Sequence, residues 1–144
     1  MKNGIEEKLK ILQELYKSDF LQPFPYQDCR KLISQNNYEL KDFVPSLNLF
    51  CSEVAGYCSW GKRIVSWSIE KIEIVESQMQ KSLFDRFPQY TELKSRITEQ
   101  ETPTLYNQLL IYDLMRLTLV DILSEIKTAR HWEITESARY PLAS

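Results

Sequence analysis

One run of apolar residues constrains this chain more than any other feature. Leu47, Cys51, Val54, Cys58, Gly61, Val65, Ile69, Ile72, Met79 and Leu83 recur close to a seven-residue spacing. A repeat of that period sets side chains along one stripe of an α-helix. Taken literally, the stripe describes one helix from Leu47 to Leu83, ~55 Å long at about 1.5 Å per residue. A globular domain of this length has a radius of gyration of ~14.5 Å and a diameter of only ~37 Å. Such a rod overhangs its own domain, so it either bends near Gly56 and Gly61 or protrudes and pairs with another chain. Two glycines that close together weaken a helix, and a bend or break there is the expectation. Asp42 is placed to cap this helix, and Pro45 is tolerated in its first turn.

Helical spacing continues on both sides. Ile5, Leu9, Leu12 and Tyr16 stripe a first helix that should end near Ser18, and Pro25 opens a second one carrying Tyr26, Cys29, Leu32 and Ile33. Pro88 stops the long helix near Phe87, and a short helix with Tyr90, Leu93 and Ile97 follows. Thr102-Pro103 is a cap and first-position pair for a last helix reaching about Thr128. On a helical wheel Leu105, Ile111, Tyr112, Met115, Leu119, Ile122, Leu123 and Ile126 share one arc. Leu110, Leu114 and Leu117 fall at its margin, so this helix is expected to be covered on more than one side. Nothing reads as a strand hairpin. The expected fold is all-α, a single-domain bundle of five or six helices with a long, kinked central helix. Residues 1–128 read as the bundle domain, and 129–144 as a C-terminal tail that is weakly structured or docked.

Composition then removes function classes. Hydrophobic residues at 43% and charged residues at 26% belong to a folded globule, not a disordered chain. Lysines and arginines are interspersed with acids, and the densest basic spots, Arg30-Lys31 and Lys62-Arg63, are two residues long. No nucleic-acid partner is expected from such a distribution. No apolar run approaches the ~18 residues that span a bilayer, so no membrane partner is expected either. Cys29, Cys51 and Cys58, with no apolar secretory segment, point to a reducing compartment and a cytoplasmic protein.

Catalytic motifs are equally thin. His131 is the single histidine, and it lies in the tail beside Trp132. Gly4, Gly56 and Gly61 build neither a Walker loop nor Gly-x-Gly-x-x-Gly. On one helix Cys51 and Cys58 stand ~10.5 Å apart along the axis, beyond what one zinc ion bridges. The sequence therefore leads us to expect no catalytic residue, no cofactor and no metal.

Two clusters remain. Trp60, Ile64 and Trp67, with Tyr57 and Arg63 beside them, form a second apolar row at helical spacing, rotated from the main stripe. Trp, Tyr and Arg dominate the energetics of protein interfaces, so these five are the candidate partner-binding residues. Tyr112, Asp113 and Arg116 are the candidates for a polar pocket, with an ion pair between helices as the simpler outcome. The functional expectation is a non-catalytic protein–protein interaction or regulatory module acting through an apolar, aromatic helix face. Its partner would be another protein or a second copy of itself, in a homo-oligomer. The alternative is a small-molecule-binding or enzymatic bundle built around Asp113 and Arg116.

Overall fold

The computed structural model describes residues 2–21, 23–36 and 43–139. In chain order its helices are α1 (Lys2–Tyr16), α2 (Tyr26–Asn36), α3 (Phe43–Cys58), α4 (Ile69–Met79), α5 (Leu83–Arg86), α6 (Thr91–Lys94) and α7 (Pro103–Arg139). Short three-residue-per-turn helices link them at Asp19–Leu21, Gly61–Ser66 and Pro88–Tyr90. No strand occurs among the described residues. The fold is the expected all-α single domain, carried by the five α-helices longer than one turn among the described residues.

α7 is its spine. It packs against α1, α2, α3 and α4, because its inner arc is almost wholly apolar. Leu105, Tyr112, Met115, Leu119, Ile122, Leu123 and Ile126 are all buried there, and Ile111 is half-buried. Unlike the sequence expectation, α7 does not stop at Thr128 but runs on to Arg139. Its 37 residues span ~55 Å at about 1.5 Å per residue. The overhang foreseen for residues 47–83 therefore belongs to α7: His131 to Thr135 are all exposed. Residues 140–144 lie outside the described residues.

The start of α7 is capped from a distance. Thr102, read as its cap, is buried and donates its hydroxyl to the Thr98 carbonyl, while the Leu105 amide donates to Asp28 Oδ2 of α2 at 2.8 Å. A carboxylate at a helix N-terminus satisfies an orphan amide and suits the helix dipole. Asp42, the expected cap of α3, lies outside the described residues.

The long apolar run is broken, not merely bent. α3 ends at Cys58, and Gly61 adopts a φ of 50°, a left-handed conformation that favours glycine. A Cβ at Gly61 would come within 2.7 Å of Gln13 Nε2, so glycine also permits the close approach to α1. The Gly61–Ser66 turn follows, and Ser68 restarts the chain as α4 by accepting from the Lys71 amide at 3.2 Å. The apolar stripe survives with one exception: Val65 is exposed.

Candidate functional site

The exception at Val65 explains what happens to the tryptophan row. In a helix of three residues per turn, side chains three apart eclipse. Gly61, Ile64 and Trp67 therefore point inward together, Lys62 and Val65 share a second face, and Trp60 and Arg63 share a third. Ile64 is fully buried and Trp67 is 7% exposed, whereas Trp60 is 45% exposed. The expected row of Trp60, Ile64 and Trp67 is thus split, because it assumed 3.6 residues per turn where the chain has three. Ile64 and Trp67 belong to the core. Tyr57 is half-buried, donates its hydroxyl to Gln78 Oε1 at 2.8 Å and meets Trp67 edge-on at 6.2 Å. Lys71 stands 4.2 Å from the Trp67 ring and 5.3 Å from that of Trp60. Arg130 of α7 locks the segment by donating to the carbonyls of Val65 and Trp67.

The second cluster is also divided. Tyr112 is buried on the inner side of α7, while Asp113 and Arg116 border a cleft. Arg116 donates through Nε and Nη2 to Asp113 Oδ1 at 3.0 and 2.8 Å, and through Nη1 to the carbonyls of Met79 and Gln80 at 2.9 and 3.3 Å. The ion pair therefore lies within α7, and the link between helices is the guanidinium capping the end of α4. An arginine so engaged supplies a wall, not a free charge for a ligand.

The cleft itself measures about 440 Å³. α5 and α6 supply Leu83, Phe84 and Lys94, α3 supplies Phe50, and α7 supplies Leu109 and Leu110. Arg86 holds α5 in place: it lies over the Phe50 ring and donates to Glu53 and to the Gln78 carbonyl. Continuing outward from the cleft, Leu110, Leu114 and Leu117 are 48%, 52% and 46% exposed. They are spaced i, i+4 and i+7 on the side of α7 away from the core, farther round than the margin where the wheel set them. α7 is therefore apolar on two sides, and only one is covered by the described residues.

Residues 10–120 match the model of a family described as YxiJ-like protein. That is well over half of the chain. It belongs to the YxiJ-like family. No curated protein and no solved structure matches it. The YxiJ-like region takes in the broken segment, the whole cleft and all three outer leucines, and it leaves out the overhanging end of α7.

The cysteines of this YxiJ-like chain are structural in their chemistry. Cys29, Cys51 and Cys58 are free and buried, and burial pushes each thiol up to about 12. A thiol held protonated is a poor nucleophile and a poor metal ligand, and no group of potential metal ligands occurs among the described residues. Tyr112 is likewise pushed up to about 12, first by burial and then by the neighbouring Cys51. The sign of the linkage follows: the folded state holds these protons beyond the ordinary thiol value of 9.0. Their stabilising effect is thus complete below about 9 and is lost as the pH rises towards 12. We expect the urea midpoint to fall between pH 8 and pH 10.5. At pH 8 a thiol reagent should modify the cysteines only at the rate of unfolding. Fast labelling of the native chain would show that a thiol is accessible.

Proposed function

We propose that this YxiJ-like chain is a non-catalytic interaction module that docks a partner protein, or a second copy of itself, on the outer face of α7 and the adjoining cleft. The observation that carries this reading is the open stripe of Leu110, Leu114 and Leu117 beside an apolar cleft. A helix laid into an apolar groove is a recurrent mode of recognition, anchored by side chains at i, i+4 and i+7. The small-molecule alternative is less well supported, because the hydrogen-bonding capacity of Arg116 is directed inward, to Asp113 and to α4. No helix among the described residues is long and apolar enough to cross a membrane, and three free thiols suit the reducing cytoplasm.

The test is Leu114→Lys. The side chain is half exposed, so the thermal midpoint should move by no more than a degree or two. Self-association by light scattering, or retention of whatever protein the native chain retains, should weaken about tenfold or more, as for a central anchor. If Leu114→Lys and Leu110→Lys associate as the native chain does, the outer face of α7 is not the docking surface.

A further inference from the structure

A second surface, of different chemistry, lies where α1 meets the Gly61–Ser66 turn. A groove of about 690 Å³ has an aliphatic floor of Ile5, Leu9 and Val65. Its rim carries Lys10 and Lys62 against one acid, Glu6. Glu6 and Lys10 have the spacing of a helical ion pair, yet the ion pairs among the described residues leave both lysines without a carboxylate. On the adjacent face of the same turn Arg63 stands 5.7 Å from the Trp60 ring, with Lys71 on that ring as well. Arg63 and Lys71 also make no ion pair there. Within the groove itself two lysines and one acid thus border an aliphatic floor, on a chain whose net charge is -2.

Uncompensated cations beside apolar surface attract an anion that brings its own apolar group. The floor contains no aromatic ring on which a base could stack, which disfavours a single-stranded nucleic acid. Glu6 within the groove, and Glu7 and Glu14 exposed along α1, would face an anionic bilayer with like charge. A peptide can space its carboxylates to avoid them.

We propose that this groove binds an acidic segment of another protein, with an aliphatic side chain on Ile5, Leu9 and Val65 and its carboxylates on Lys10 and Lys62. The inference is independent of the outer face of α7. It is tested with the full chain and a labelled twelve-residue amphipathic peptide of glutamate and leucine, titrated by fluorescence anisotropy. The control peptide carries lysine in place of every glutamate. The acidic peptide should bind and the lysine peptide should not. The double variant Lys10→Gln/Lys62→Gln should weaken binding about tenfold or more, and Val65→Asp should weaken it separately by spoiling the floor. All three positions are exposed, and circular dichroism confirms that the variants fold. The proposal is overturned if the lysine peptide binds as well, if the acidic peptide does not bind, or if the double variant binds unchanged. It is equally overturned if phosphatidylglycerol vesicles or a single-stranded oligonucleotide bind the groove while the acidic peptide does not.

Discussion

Replacing Arg116 by alanine is expected to lower the unfolding free energy by about 2–3 kcal/mol, the cost of leaving buried acceptors without their donor. Arg116 is 7% exposed, and its guanidinium holds the carbonyls of Met79 and Gln80, where α4 ends. Helix ends leave carbonyls without internal partners, and Arg116 Nη1 donates to both of these. Asp113 suffers less, since it is half exposed and water can rehydrate it. Arg116→Lys should recover only part of the loss, because an ammonium cannot span a carboxylate and two carbonyls at once. Urea denaturation measures both. A loss below about 1 kcal/mol for the alanine variant, the level of a surface pair, would show that the site is solvated.

The two tryptophans should behave as opposites. Trp67→Ala is expected to cost about 3–5 kcal/mol, as for a large aromatic removed from a core. Its ring packs beneath Tyr57 and under the Lys71 ammonium, and Arg130 fastens its carbonyl to α7. Trp60→Ala should cost under about 1 kcal/mol, since what it loses is an exposed cation–π contact. Near-equal losses would mean that both indoles face the same environment, as a regular helix through residues 58–69 requires.

This contrast marks the boundary of what was legible in the residues. The helical class and the inner arc of α7 follow from spacing, and the failure of the helix near Gly61 follows from the two glycines and from a rod too long for its domain. Buried Leu47, Cys51, Val54, Cys58, Ile72 and Met79 confirm the long stripe. The change of period from 3.6 to three over Gly61–Ser66 could not be read, because apolar residues at 61, 64 and 67 fit a three-residue turn while 60, 64 and 67 fit an α-helix. The capping of α7 by Asp28 was equally hidden, since that acceptor lies on another helix. The candidate site was half visible. Asp113 and Arg116 do border a cleft, but its other walls come from α3, α5 and α6, whose meeting no spacing rule encodes. The outer leucines were in view throughout. What the residues lacked was a sign that none of the described residues covers them.

The most direct test of that uncovered face is photo-crosslinking in the native cell, with a photoreactive residue at Leu114 and, as control, at exposed Gln35 of α2. Position 114 should yield a discrete adduct, either a second copy or one partner protein, that disappears when Leu110 and Leu117 are changed to lysine. If position 114 gives no adduct beyond that seen from position 35, the outer face of α7 is bare in the cell and the docking role fails.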